Sequence, residues 1–326
     1  MTLFLQEVAL MNKEIFIRRL RDALSPLSDE EIENAVQYYE EYFADAGEEN
    51  EADVISALGS PEAIAENIIR EAGQPVPVDT STEKGDFNAV NIKTIAARIE
   101  FIPSDHYGYE FEESTNCTIE HGIANGVLTV RERKSGGLLS LFGITSRGFV
   151  KVYFKAGTLF DFINLSAVAG SLTLENIKAL TSDISLTSGG LKTESCDLGA
   201  CTITQVSGSM RSENCRFAGL NIHSVSGSTH IENAVMGNIV MKNTSGSIKI
   251  SGNADGDIEI RSVSGSIKLM LEGKADDYRK SIKMSSGSCH IGGMKIKGGY
   301  TELSDREFLH NMTLSTVSGS INIDFR

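Results

Sequence analysis

Val206-Ser207-Gly208-Ser209-Met210-Arg211-Ser212-Glu213-Asn214-Cys215 is followed, nineteen residues on, by Val225-Ser226-Gly227-Ser228-Thr229-His230-Ile231-Glu232-Asn233-Ala234. The Ser-Gly-Ser corner or a close variant recurs at Gly170, Gly189, Gly208, Gly227, Gly246, Gly265, Gly287 and Gly319, in steps of 19, 19, 19, 19, 19, 22 and 32. Composition alone does not produce five identical intervals, and a fixed period of this length marks a repeat architecture.

Aligned on the glycine, the copies give columns. Two positions after it stand Leu172, Leu191, Met210, Thr229, Ile248 and Ile267; fourteen after it stand Ile184, Ile203, Ile222, Met241 and Ile260. These mostly apolar columns alternate with polar ones, the pattern of strands with one buried face. Each repeat has room for about three short strands and their corners, and copies stacked ~4.8 Å apart make a parallel sheet coil on coil. The expected fold is therefore mainly β: a single-stranded parallel β-solenoid, or β-helix, with 19-residue coils. The corner glycines serve structure, either through positive φ or because stacked coils leave no room for Cβ.

Other columns are chargeable or polar. Glu175, Glu194, Glu213 and Glu232 follow the glycine by five, and Lys192, Arg211, His230 and Lys249 stand two residues earlier on the same outward face. Stacked carboxylates repel, so ion-paired decoration is the expected role, with a cation- or ligand-binding face as the alternative. Asn176, Ser195, Asn214 and Asn233 suit a ladder of side-chain hydrogen bonds at a corner. Cys196 and Cys215 are stack neighbours, read as core thiols with a disulfide as the alternative.

Outward from the repeat, composition agrees. All five prolines lie at or before Pro103, leaving 223 of 326 residues without one. A proline would delete a ladder hydrogen bond in any strand it entered. Net charge is −14, but residues 1–72 hold 17 acidic against 5 basic side chains, and the remainder 27 against 25. The chain thus reads as an acidic helical domain over 1–72, a linker over 73–86 containing Pro75 and Pro77, and a strand domain over 87–326. Within the last, 87–164 are irregular N-terminal strands or cap, 165–326 the repeat coils, and 298–310 a C-terminal insertion that caps the stack. Asn125-Gly126 is a hairpin signal, and Ser135–Arg147 is either a covered loop or an exposed contact site.

In the first domain, Ile15, Phe16, Leu20 and Leu24 form a helical stripe, as do Ile32, Ala35, Tyr39, Tyr42 and Phe43, then Ile64, Ile68 and Ile69. Ser28 to Glu31 form a capping box, Gly59 a C-terminal cap, and Ser60-Pro61-Glu62 a helix start. A core of about 60 residues is marginal, so a further helix from residues 1–10 or a partner would support it. Met11 is an alternative start. The acidic face, with Asp29, Glu30, Glu33, Glu40, Glu41 and Asp45, is either solvated or a docking surface for a basic partner.

Asn12-Lys13-Glu14-Ile15-Phe16, Arg19-Leu20, Tyr38–Phe43 with Ala44-Asp45-Ala46-Gly47, and Ala57-Leu58-Gly59-Ser60-Pro61-Glu62 resemble the HAAS signalling domain. The resemblance implies an acidic helical module found beside PadR-like transcriptional regulators and contacting them. Many of its members continue into membrane-spanning helices, and this chain has no segment of 18 consecutive apolar residues. Gly126-Val127-Leu128-Thr129-Val130, Phe149–Leu159, the serial corners and Val317-Ser318-Gly319-Ser320-Ile321 resemble the adhesin-like β-strand-repeat family of unknown function.

The acidic balance, without a basic run, argues against direct nucleic-acid binding. Met1–Leu10 lacks the basic start and cleavage site of a signal peptide, and five cysteines form no disulfide framework or zinc pair, so a cytoplasmic location with reduced thiols is expected, with export by an unrecognised route as the alternative. The six histidines lack metal-ligand spacing, His223 and His230 being read as surface decoration. Asp255-Gly256-Asp257 is a lone fragment of calcium-binding type. No nucleophile elbow, phosphate loop or dinucleotide fingerprint is present. The expectation is a non-enzymatic regulatory or signalling protein without a cofactor. Its helical domain docks a protein partner such as a PadR-like regulator, and its solenoid serves as scaffold or recognition surface. A surface adhesin-like module, and more remotely a carbohydrate-active solenoid enzyme with a lateral acidic groove, are the alternatives.

Overall fold

The computed structural model describes residues 11–27, 29–46, 51–72, 85–134, 147–296, 299–304 and 306–326. The chain divides into two compact units, one built on helices and one on strands.

The helical unit contains α1 (Lys13–Ala23), α2 (Asp29–Ala46), α3 (Glu51–Leu58) and α4 (Pro61–Ala72). Asn12 caps α1, its Oδ1 accepting from the Ile15 amide at 2.9 Å. Gly59 ends α3 with φ +81, its amide donating to Ile55 at 3.0 Å. Ser60 then starts α4, its Oγ accepting from the Ala63 amide at 3.1 Å. The core holds Phe16, Ile17, Leu20, Leu24, Tyr39, Phe43, Val54, Ile55, Ile64 and Ile68. Ile17, absent from the expected stripe, is buried, while Ile15 is only half-buried. Ser28 of the anticipated capping box, the residue 1–10 segment and most of the Ser135–Arg147 loop lie outside the described residues.

The strand unit opens with β1 (Ala89–Thr94), β2 (Arg98–Ser104), β3 (Gly108–Glu112), β4 (Cys117–Ala124), β5 (Val127–Lys134), β6 (Phe149–Lys155), β7 (Leu159–Ala167) and β8 (Leu172–Glu175). Asn125 and Gly126, at φ 52 and 74, form the turn between β4 and β5. The repeat follows as β9 (Lys178–Glu194), β10 (Ala200–Glu213), β11 (Arg216–Ser226), β12 (Ser228–Ser245), β13 (Ile248–Ala254) and β14 (Ile258–Leu271). Next come β15 (Tyr278–Ile291), β16 (Met294–Ile296), β17 (Tyr300–Thr301) and β18 (His310–Phe325).

These strands belong to one sheet. Within the repeat the pairs are parallel, with partners nineteen residues apart, as where Ile184 faces Ile203, Ile203 faces Ile222, and Met241 faces Ile260; a bulge between β12 and β13 shifts the register to eighteen at Ala234–Met236. The in-register isoleucines and leucines form one continuous core with Val90, Ile92, Leu128 and Ile163. The sheet is mixed, however. β3 runs antiparallel to β6, and β16 and β17 run antiparallel to β15. The expected three short strands per repeat are also replaced by longer ones, such as the 17 residues of β9. The glycine corner bends the chain without breaking the ladder, since Ser188, Gly189 and Gly190 still pair with Ser207, Gly208 and Ser209.

Both ends are permuted. β1 lies between β5 and β7, so the first strand of the domain is not the outermost one. At the other end β18 lies between β14 and β15. Gly319 therefore faces Gly265 on one side and Gly287 on the other. The unequal last two intervals mark this insertion of the final strand, and β16 and β17 lie along the outer side of β15.

Candidate functional site

The six acidic residues expected to form an interaction face all fall on α2. Asp29, Glu33 and Glu40 are exposed and stand at i, i+4 and i+11, on one side of the helix. Glu33 is held by Arg21 of α1 in a two-point ion pair, its Oε2 2.9 Å from Nη2. That hydrogen bond holds the Glu33 carboxyl below its usual range and raises the guanidinium. The side chains of Glu30, Glu41 and Asp45 lie outside the described set. Among the described residues of this unit, the other salt bridge joins Arg19 and Glu62 at 3.9 Å.

In the strand unit the corner glycines stand in one column. A Cβ on Gly208 would lie 1.8 Å from the Gly189 carbonyl oxygen, one on Gly227 1.7 Å from that of Gly208, and one on Gly319 1.8 Å from that of Gly265. From Gly189 onward these corner glycines also have φ between +119 and +145. Both reasons for glycine thus hold at once. Gly170 differs, since only the close approach, 2.2 Å to the Ala97 carbonyl, applies to it. Beneath the corner, buried polar side chains bind its backbone, as where Asn243 Nδ2 donates to the Gly246 carbonyl at 3.3 Å.

The outward charges balance. Lys192 Nζ lies 3.2 Å from Glu175 and 2.9 Å from Glu194. Arg211 binds Glu213 at 2.5 Å and lies 3.7 Å from Glu232, which also takes Lys249 at 3.0 Å. All four glutamates of the column therefore have a cation. His230 joins them, Nε2 2.6 Å from Glu232. The Asn176 column is corrected in its cause. Asn176, Ser195, Asn214 and Asn233 have φ of 57, 55, 53 and 52, the left-handed region that asparagine tolerates best among non-glycine residues. Side-chain bonding along this column is limited to Asn233 Nδ2 and Asn214 Oδ1 at 3.5 Å.

Cys196 and Cys215 are buried free thiols. The Cys196 thiol is pushed up by its hydrogen bond with Cys215 and by burial, and burial pushes Cys201 up to about 12. Cys196 and Cys201 therefore stay protonated at neutral pH, whereas the same hydrogen bond with Cys196 lowers the Cys215 thiol. Among the described residues no group of three or more His, Cys, Asp and Glu could hold a metal ion, and no helix is long and apolar enough to cross a membrane.

One concave feature was not anticipated. A shallow depression of about 350 Å³ is lined by Asn91, Ile92, Lys93, Asn164, Leu165, Ser166, Asp183 and Ser185. It sits on the outward face of β1, β7 and β9. Asn91, Asn164 and Asp183 occupy one register row, and Lys93, Ser166 and Ser185 the next. No sequence motif joins these positions; the signal was the alternation of each strand, once the strand order was known.

Two family models match the chain. The model described as Toastrack DUF4097 covers residues 87–324, and HAAS covers residues 16–67. A search of curated proteins gives no match. Among solved structures, the chain is similar to a candidate adhesin from Bacteroides fragilis NCTC 9343, with 13% identity and a TM-score of 0.46 over 74% of this chain and 94% of that one. It is also similar to a candidate cell adhesion protein from Clostridium sporogenes ATCC 15579, with 10% identity and a TM-score of 0.26 over 76% of this chain and 98% of that one. Likenesses this distant carry no argument about function.

Proposed function

Because this chain belongs to the Toastrack DUF4097 family and carries an N-terminal HAAS domain, we propose that it is a non-enzymatic regulatory protein that works by binding another protein. The acidic helical domain, over residues 1–72, docks a partner with a basic surface, in the first instance a PadR-like transcriptional regulator. A linker over 73–86 joins it to a strand domain over 87–326, a β-solenoid of 19-residue coils that acts as scaffold or second recognition surface. The protein works in the cytoplasm.

One contrast carries this reading. Every glutamate of the repeat column has a cation beside it, whereas the helical domain holds 17 acidic against 5 basic side chains. Charge cancelled within a fold has little left to offer a partner; charge left uncancelled steers and selects one. The row of exposed valines beside the glycine corners, Val168, Val206, Val225, Val263 and Val317, supports the recognition role of the strand domain.

The test is titration of the full-length protein with a purified PadR-like regulator encoded beside it. Binding that falls with salt and with Asp29→Lys plus Glu40→Lys supports the proposal. Absence of binding at low salt, or recovery of the protein from the cell surface, overturns it, the second in favour of an adhesin-like role.

A further inference from the structure

Asn91, Lys93, Asn164, Ser166, Asp183 and Ser185 surround the depression on β1, β7 and β9, and among the described residues none of these side chains has a hydrogen-bond or ion-pair partner. We propose that the depression is a binding site for a neutral saccharide. It is independent of the helical domain and of the protein partner proposed above.

The grid explains the choice of ligand. Three adjacent parallel strands put the two rows across about 10 Å, and two residues along each strand separate the rows by about 7 Å. Ser166 and Ser185 are short, which leaves the hollow beside the longer Lys93. The groups present are one ammonium, one carboxylate, two carboxamides and two hydroxyls, so the site carries no net charge. An anion drawn by Lys93 meets Asp183, and a cation drawn by Asp183 meets Lys93. An apolar ligand would strip water from six polar side chains, and the two apolar lining residues, Ile92 and Leu165, are themselves buried and offer it little surface in return. Saccharide hydroxyls both donate and accept, as do the carboxamides and serines, while the ammonium only donates and the carboxylate only accepts. A ring bearing several hydroxyls can satisfy this mixture at once. The volume, about 350 Å³, lies at the lower end of small-molecule sites.

The site is built to bind and not to hydrolyse. Glycoside hydrolysis ordinarily uses two carboxyl groups flanking the bond, and Asp183 is the single carboxylate lining the depression.

The experiment screens the full-length protein against an array of neutral and acidic saccharides, and titrates the best neutral ligand calorimetrically. Retention of a neutral saccharide, weakened about tenfold or more by Asp183→Ala and also weakened by Asn164→Ala, is the expected result. Amide shifts confined to β1, β7 and β9 on adding that saccharide would place it. Lys192→Ala, on another outward column, should leave binding unchanged, and thermal melts establish that each variant folds. Failure to retain any neutral saccharide at millimolar concentration, preference for acidic ones, or binding indifferent to Asp183→Ala overturns the proposal. Loss of partner docking in the helical-domain variants should leave this binding intact.

Discussion

The two ends of the strand stack are closed by opposite charges with opposite consequences. At the N-terminal end the amides of Ile95, Ala96 and Ala97 converge on Glu132 of β5, all three donating to Oε2 at 2.6, 2.9 and 3.1 Å. At the other end the buried ammonium of Lys280 on β15 donates to the carbonyls of Ala275 and Tyr278, the latter at 3.0 Å. Each side chain is 4% exposed. Burial pushes the Glu132 carboxyl up, but the Ser114 hydroxyl and the amides of Ala97, Ala96 and Ile95 outweigh it and hold its pKa low. Burial lowers the Lys280 pKa and the nearby carboxylates do not offset it. For an acid a lowered pKa means a stabilised charge; for a base it means a destabilised one. One end holds its charge on three amides at Oε2, although Oε1 is buried without a hydrogen-bond partner, and the other keeps its charge at a cost.

The corner between these ends sets the scale against which both are measured. Gly227→Val would put Cβ against the Gly208 carbonyl 1.7 Å away, at φ +128. We expect it to cost more than about 4 kcal/mol in urea unfolding. Gly219, with nothing within 4 Å of an added Cβ, serves as control, and Gly219→Ala should fall within about 1 kcal/mol of the native protein. If Gly227→Val were equally mild, the stack would not depend on its corners and the comparison of its ends would lose its basis.

Glu132→Ala comes next. It leaves the buried amides of Ala96 and Ala97 and the half-buried amide of Ile95 without an acceptor, for an expected loss of about 3 kcal/mol. The pH dependence follows from the lowered pKa. Stability from Glu132 is fully present above the unfolded value near 4.5 and is lost as pH falls through the lower folded value. Glu132→Gln should therefore flatten the acid limb of a stability–pH curve, and an unchanged acid limb would count against the cap.

Lys280→Met should act in the other sense, from no change to a gain of about 1 kcal/mol, because a costly buried charge gives way to an apolar side chain. The native protein should also gain stability as pH rises from the lowered Lys280 value toward 10.5, where the unfolded chain still binds the proton. A loss of about 3 kcal/mol in Lys280→Met would make the two ends equivalent. The smallest effect is expected at Ser195, which holds φ 55 where its column neighbours Asn176 and Asn214 hold 57 and 53 as asparagines. Ser195→Asn should gain about 0.5 kcal/mol, read as a small rise in the unfolding midpoint.

Much of the strand domain was legible because parallel pairing in register at a spacing of nineteen repeats each residue's environment at that interval. The period placed Ile184, Ile203 and Ile222 in one buried column and Glu194 and Glu213 in one outward column before any pairing was known. The left-handed turns at Asn176, Asn214 and Asn233 carried a readable signal, three asparagines in one column, which points to backbone conformation more directly than to a side-chain ladder. Glu132 carried none. It sits in an ordinary alternating strand, and its role depends on where the amides of Ile95–Ala97 point.

The depression was illegible for a related reason. Asn91 and Asn164 are neighbours although 73 residues separate them, and no local spacing expresses a partner that far away. The helical domain divides the same way. Its caps at Asn12, Gly59 and Ser60 follow from short-range chemistry, but the pairing of Glu33 with Arg21 requires α1 and α2 to be packed together.

By itself, the amino-acid sequence determined the period, the two charge regimes and the positions where only glycine fits, since these depend on neighbours a fixed number of residues away. The tertiary structure alone decided the order of the strands at both ends, with β1 inside β5 and β18 inside β15. Pairing energy depends on which edges meet in space, and strands far apart in the sequence pair wherever two open edges meet in register.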